Sequence, residues 1–327
     1  MGGIQFKASL ALDVLCFLEN RQLEYEKWMY DEQLNEIKTI NSLLPADFDG
    51  SCIGMSNICY VLSAFCDDDL EQLSLDDLIL IFLSPDQIKS VVKSRLRDGF
   101  TASYINPVLD WLKDGFAEKY VKQLSVLKDI GFEKIYQERI MPSVREEMNQ
   151  KQQEVAGYHC GELFQNIALL KNTAPIKQAD IYVSFFSNPI AFTLYGGAFL
   201  TCFCSPGKVD FFSTIAHELM HGFASDRLIQ LYRIHAESTE RLSTCHRALI
   251  EEFHSGDEEE LVMAAEYYLC YLSGAYSREQ LLQKAGSEYG GNCPTSVSVL
   301  ELLMREKAVP VDYDKWLISQ FENGKIV

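Results

Sequence analysis

His217-Glu218-Leu219-Met220-His221 is the stretch on which the reading of this chain turns. Residues i and i+4 of a helix share a face, so this HExxH spacing presents two imidazoles to one metal ion. Glu218 sits beside them, placed to hold a water that the metal has acidified. A chance match in a chain of this length has odds of roughly one in a hundred. The flanking residues therefore decide.

Upstream, Cys204-Ser205-Pro206-Gly207 is a turn signal, and the segment from Lys208 to Ile234 is predicted to be one helix. On a wheel of about 100° per residue with His217 at zero, His221, Thr214, Ser225 and Glu218 fall between about 40° and 100°. Phe211, Phe212, Ile215, Leu219 and Phe223 gather between about 120° and 240°, an apolar stripe turned away from the histidines. Gly222 costs about 1 kcal/mol of helix propensity relative to Ala. It either leaves room for another backbone beside the site or is incidental.

Ile181 to Phe186 is a predicted strand, turned by Asn188-Pro189. Ile190 to Tyr195 and Ala198 to Cys204 are two more, joined at Gly196-Gly197. A small sheet, a Pro-Gly turn and then an HExxH helix resembles the catalytic lobe of the zincins, a superfamily of zinc metallopeptidases. The resemblance implies a predominantly α-helical α+β fold, Zn2+ as cofactor, and hydrolysis of a peptide or protein substrate. It also implies that the strand nearest the cleft pairs with the extended substrate, since an open edge offers N–H and C=O groups to a peptide. An ordinary structural hairpin is the other reading of the same residues.

Catalytic zinc sites use three protein ligands. The metzincin continuation is absent, because Ala224 and Arg227 stand where it needs Gly and His. The gluzincin branch, which the chain resembles more, takes a Glu from a later helix. Its aminopeptidase spacing lands on Glu240, within Ser238-Thr239-Glu240-Arg241 and without the Asn-Glu-Gly context. Glu259 matches better, in the Glu-x-x-Val-x-Ala context Glu259-Glu260-Leu261-Val262-Met263-Ala264. Its predicted helix runs to about Leu272, capped by Ser255 or Asp257. Glu266, seven residues on, shares that face. The metal set expected is thus His217, His221 and Glu259, with Glu266 and Glu240 as alternatives. Acidic residues in a first turn also suit the helix dipole, which explains the 258–260 run without a metal.

With two neutral imidazoles and one carboxylate, a zinc site stays positive and lowers the pKa of its water toward about 7. Glu218 is the expected general base. Tyr289, Tyr276, Tyr267 and His235 are open candidates for oxyanion stabilisation.

The 327 residues, 47% of them hydrophobic, suffice for one large or two modest domains. Residues 1–155 read as a helical N-terminal lobe and 156–327 as the catalytic lobe, with the cleft between them. A long amphipathic stretch runs from about Phe6 to Leu43; Ser84-Pro85, Asn106-Pro107 and Met141-Pro142 mark further helix starts or breaks. A net charge of −18 argues against nucleic acid or an anionic membrane as partner. No window has membrane-spanning length, and the apolar run Leu10 to Leu18 is interrupted by Asp13 without a basic flank or cleavage signal. Ten unpaired-looking Cys fit reduced thiols in a cytoplasm. Cys202 and Cys204 share a strand face and, with Cys160 and His159, read as buried small residues rather than as a second metal site. The expectation is a cytoplasmic, bacterial zinc peptidase. Its rival is a catalytically silent zincin-fold protein that binds a peptide or partner.

Overall fold

Helix starts in this computed structural model are set by hydroxyls. Ser9, Ser74, Ser225, Thr239 and Ser277 each accept a hydrogen bond from the backbone N–H three residues on. Each bond satisfies one of the donors that a helix leaves unpaired at its N-terminus. The structure describes residues 3–326 apart from 23–28, 67–68, 97–98, 158–159, 189–190, 203–210, 253–254, 256 and 275.

The chain opens on β1 (Gly3–Lys7). Next come α1 (Leu10–Asn20), α2 (Asp31–Asn41), α3 (Met55–Cys66), α4 (Leu75–Phe82) and α5 (Pro85–Arg95). They lead to α6 (Gly99–Trp111), α7 (Ala117–Asp129), the single turn α8 (Phe132–Ile135), α9 (Met141–Val155) and α10 (Cys160–Lys171). Three strands follow: β2 (Gln178–Ser184), β3 (Phe192–Thr193) and β4 (Phe199–Cys202). A second helical run then comprises α11 (Phe211–Met220), α12 (Asp226–Ala236), α13 (Glu240–Glu251) and α14 (Glu259–Leu272). It ends with α15 (Arg278–Ser287), α16 (Pro294–Leu303) and α17 (Tyr313–Glu322).

The fold is thus α+β, mostly helical around one four-stranded mixed sheet of order β1-β2-β4-β3. β1 and β4 flank β2 in parallel, with Phe6 and Phe199 on either side of Ile181. β3 closes the sheet antiparallel to β4 through the turn at Gly196-Gly197, where both glycines take positive φ. β4 is buried along its whole length, as expected for a strand covered on both faces.

Asp13 fastens α1 to this sheet. It is fully buried and accepts bonds from the Ser184 hydroxyl (2.5 Å) and the Phe186 N–H (3.1 Å). The Tyr136 hydroxyl donates to its other oxygen (2.9 Å). Asn20 and Gln33 donate to the carbonyls of Phe186, Phe185 and Ser187, so the bend after β2 is held by side chains.

Three expectations change. Residues 3–7 are strand rather than helix, and the supposed stretch from Phe6 to Leu43 divides into β1, α1 and α2. The alternation Ile4-Gln5-Phe6 is too short to stand out beside the apolar run that follows it. Pro107 lies inside α6 and does not start it. The helix runs through the missing donor and breaks later, in the π-helical segment Leu112–Phe116, where Gly115 has φ +111°. Pro85 and Pro142 do stand in first turns, those of α5 and α9. Among the described residues no helix is long and apolar enough to cross a membrane.

Burial pushes the Asp13 carboxyl up to about 6, against the hydrogen bonds from Ser184, Phe186 and Tyr136 that favour its charge. An acid whose folded pKa is raised binds its proton more tightly when folded, so stability falls as pH rises from about 4 to about 6. At about 1.4 kcal/mol per pH unit the gap is worth about 3 kcal/mol. Denaturant titrations of wild type and Asp13→Asn at pH 4 and pH 7 read this directly. The wild type should lose about that much relative to the variant on going to pH 7; a pH-independent difference would contradict it.

Candidate metal centre

The helix predicted from Lys208 to Ile234 is two helices, because α11 stops at Met220 and α12 starts at Asp226. The break is Gly222, whose φ of +74° is left-handed, a conformation open to Gly and costly for residues with a Cβ. No atom lies within 4 Å of where its Cβ would stand, so its role is to end the helix rather than to admit another backbone. Lys171 on α10 donates to the carbonyls of Leu219 (3.0 Å) and His221 (2.6 Å), placing donors and positive charge at the helix C-terminus. The turn at 204–207 and residues 208–210 lie outside the described residues.

The apolar stripe falls where the wheel puts it. Phe211, Phe212, Ile215 and Leu219 are buried, and Phe223 packs partly buried against the core. Phe211 stacks on Phe6 of β1 with ring centroids 5.8 Å apart and lies 6.4 Å from Phe199 of β4, fixing α11 on the sheet. Met220 closes the helix buried.

The opposite side gathers His217, His221 and Glu259. Their potential ligand atoms all lie within 4.8 Å of one another. The two Nε2 atoms are 3.1 Å apart. Glu259 Oε1 is 3.5 Å from His217 Nε2, and Glu259 Oε2 is 3.9 Å from His221 Nε2. Ligand atoms about 2.0–2.1 Å from a tetrahedral zinc stand about 3.3 Å from each other, so the three residues fit such an ion.

The far nitrogens of both rings are also held. Glu266 Oε2 lies 2.9 Å from His217 Nδ1, and Glu258 Oε1 lies 2.9 Å from His221 Nδ1. A carboxylate accepts, so each Nδ1 donates its proton outward and each Nε2 is the nitrogen that faces the cluster. The Ser213 hydroxyl donates to the other oxygen of Glu266, and the Gly222 N–H donates to Glu258 Oε1 (3.1 Å). Glu259 accepts the Tyr289 hydroxyl at 2.7 Å.

These contacts sort the three Glu candidates. Glu259 faces both Nε2 atoms, and Glu266 stands behind His217. Glu240 opens α13 exposed to solvent, outside the cluster; matching its spacing overlooked the turn that begins a new helix at that point. Nor do Ser255 or Asp257 cap α14. Its N-cap position is Glu258, without a side-chain cap bond, because the side chains before the helix are taken up elsewhere. Asp257 pairs with Arg233 (2.5 Å) and His246 (3.2 Å). Glu260 accepts the Tyr232 hydroxyl (2.6 Å) and the Thr295 and Ser296 N–H groups at the start of α16 (2.8 and 3.3 Å). Each residue of the acidic run from Asp257 to Glu260 has its own set of partners besides the helix dipole.

The electrostatics follow from carboxylates crowding buried imidazoles. Burial lowers the pKa of His217, but Glu259, Glu266 and Glu218 outweigh it and push the ring up to about 10. For His221 burial also pulls down, and the bond to Glu258 and the nearby carboxylates prevail over it and over His217. Burial raises the Glu259 carboxyl, and the two imidazoles hold it below its usual range. Glu218, 5% exposed, is pushed upward, burial prevailing over the two histidines and Thr193. The pocket therefore favours positive charge at the two rings.

Thr193 of β3 joins the sheet to this cluster. Its hydroxyl lies 3.0 Å from the Glu218 carbonyl and 3.1 Å from Glu218 Oε2, both acceptors. Leu194 donates to the Ala198 carbonyl (2.8 Å). The alternation of an antiparallel ladder then turns the N–H and C=O of Thr193 away from β4.

Sequence reasoning missed Thr193, Ser213, Glu258 and Lys171. Glu258 lay inside the quoted acidic run; the others carry no signal that separates them from any Thr, Ser or Lys. Of the candidate oxyanion donors, Tyr289 reaches the cluster. Tyr267 donates to Glu288 (2.7 Å), His235 packs on Phe321 (ring centroids 5.4 Å), and Tyr276 packs against the core. Cys202 is buried; Cys204 and His159 lie outside the described residues.

No family model matches this chain, and no curated protein or solved structure matches it either.

Since nothing crowds a Cβ at position 222, Gly222→Ala isolates the backbone cost of the left-handed turn, about 1–2 kcal/mol. Gly222→Asn, whose side chain tolerates this region better, should lose less. Denaturant midpoints check the ranking; an Ala variant as stable as wild type would mean that the helix need not end here.

Proposed function

We propose that this chain is a zincin-like, zinc-dependent peptidase of the gluzincin type, with His217, His221 and Glu259 as ligands and Glu218 as general base. The observation that carries the reading is the paired arrangement of the imidazoles: both Nε2 atoms converge beside Glu259 while both Nδ1 atoms are tied to buried carboxylates. Packing alone gives no reason for two histidines to share that arrangement.

Zinc bound there supplies Lewis acidity and an acidified water. Thr193 occupies Glu218 Oε2, which leaves Oε1 to take a proton from the attacking water and return it to the leaving amine. A carboxyl raised by burial is better matched to that exchange near neutral pH. The outward N–H and C=O of Thr193 offer a peptide backbone a place to pair within reach of Glu218, which supports a peptide or protein substrate. The reading assigns the helical residues up to about 155 to the other wall of a substrate cleft. All nine described cysteines are free, which supports a reducing, cytoplasmic setting.

One observation favours the rival, a silent peptide- or partner-binding protein. The Nε2 atoms, 3.1 Å apart, are also at hydrogen-bonding distance, so the cluster closes on itself around one shared proton without an ion.

Elemental analysis of protein purified without chelator or nickel resin separates the two. The zincin reading expects about one zinc per chain, lost in His221→Ala; absence of metal even after zinc is added back favours the silent protein. For mechanism, Glu218→Gln should retain zinc and lose about 10²–10⁴-fold in peptide hydrolysis. Unchanged turnover would remove Glu218 as the base.

A further inference from the structure

Among the described residues, Tyr289 is the one non-glycine residue in contact with the cluster that has a left-handed backbone, φ +47° and ψ +39°. It starts the run Tyr289-Gly290-Gly291, in which all three φ values are positive. A bulky aromatic residue rarely adopts this conformation, and Gly or Asn would hold it with less strain. Backbone strain of this kind persists where surrounding contacts over-determine it. The contact here is the Tyr289 hydroxyl, which donates to Glu259 Oε1 at 2.7 Å and also hydrogen-bonds the Ser255 hydroxyl. Oε1 is the same oxygen that stands 3.5 Å from His217 Nε2.

We propose that Tyr289 is a positioning residue for Glu259. Its hydroxyl engages Oε1 so that the carboxylate meets a metal through a single oxygen, in a fixed rotamer. This rests on the metal-site reading above and assigns Tyr289 a task different from oxyanion stabilisation, since its proton is committed to Glu259. The left-handed turn is what brings the ring there: α15 ends at Ser287, and the reversal through 289–291 carries the chain to α16, which packs on α14. Glu259 is the first residue of α14, with no preceding helical turn to pack against its side chain, so part of the restraint on its carboxylate comes from outside the helix. An external donor supplies that restraint.

The test compares wild type, Tyr289→Phe and Tyr289→Gly by zinc affinity in chelator competition, by the visible spectrum of the cobalt-substituted protein, and by the thermal stability of the metal-free form. Tyr289→Phe keeps the ring and the strained turn and removes only the hydroxyl; Tyr289→Gly relieves the turn as well. Both should bind zinc about 10–100-fold more weakly and shift the cobalt bands as Glu259 changes its mode of contact. Metal-free Tyr289→Phe should melt close to wild type, which separates positioning from general support of the fold. Wild-type zinc affinity and an unshifted spectrum in Tyr289→Phe would overturn the assignment while leaving the metal site intact. A wild-type protein that takes up neither zinc nor cobalt would overturn the metal reading and this assignment together.

Discussion

The structure depends on burying the four consecutive carboxylates of Asp257 to Glu260 at the start of α14. A buried charge without a partner costs several kcal/mol, so none of these side chains enters the interior alone. Each meets its own donors: Arg233 and His246 for Asp257, His221 and Gly222 for Glu258, Tyr289 and the two imidazoles for Glu259, Tyr232 and the start of α16 for Glu260. In satisfying them the chain fixes the relative places of α11, α12, α13 and α16 around one helix. The candidate metal centre is the part of this network in which the donors are imidazoles.

A second restraint comes from the sheet. Phe211 wedges α11 against Phe6 and Phe199, and the Thr193 hydroxyl of β3 holds Glu218. The HExxH segment is therefore gripped twice, by carboxylates on the side of its histidines and by a strand beside its glutamate. On the proposed reading, the ligands and the general base are oriented by separate parts of the fold.

The parts that were legible in the sequence are those with a period or a fixed spacing. The wheel placed Phe211, Phe212, Ile215 and Leu219 in the core and the two histidines together, because 3.6 residues per turn fixes faces whatever the tertiary context. Glu259 and Glu266 share a face for the same reason, although which of them approaches Nε2 depends on how α14 is rotated against α11. The end of α14 at Leu272 and the Gly196-Gly197 hairpin were also readable. Gly222 looked like a propensity penalty within a helix; its left-handed turn is a backbone state that composition does not display. β1 was hidden because its partner, β2, lies far along the sequence, and parallel pairing leaves no local trace. Glu258 was read as a dipole companion, since helix N-termini attract acids whether or not a histidine waits opposite.

That pairing of β1 with β2 has a kinetic side. Gly3 and Gln178 stand opposite each other although roughly 175 residues separate them. Closing so long a loop is entropically expensive before any contact rewards it, and parallel pairings of this range form slowly. During synthesis α1 to α10 emerge first and can gather their local contacts, while β1 waits with an unpaired edge until β2 appears. α11 can seat Phe211 on Phe6 only after that event, and the histidines can meet Glu259 only once α14 has followed. Until β2 emerges, β1 stays exposed to mispairing for longer than any other strand.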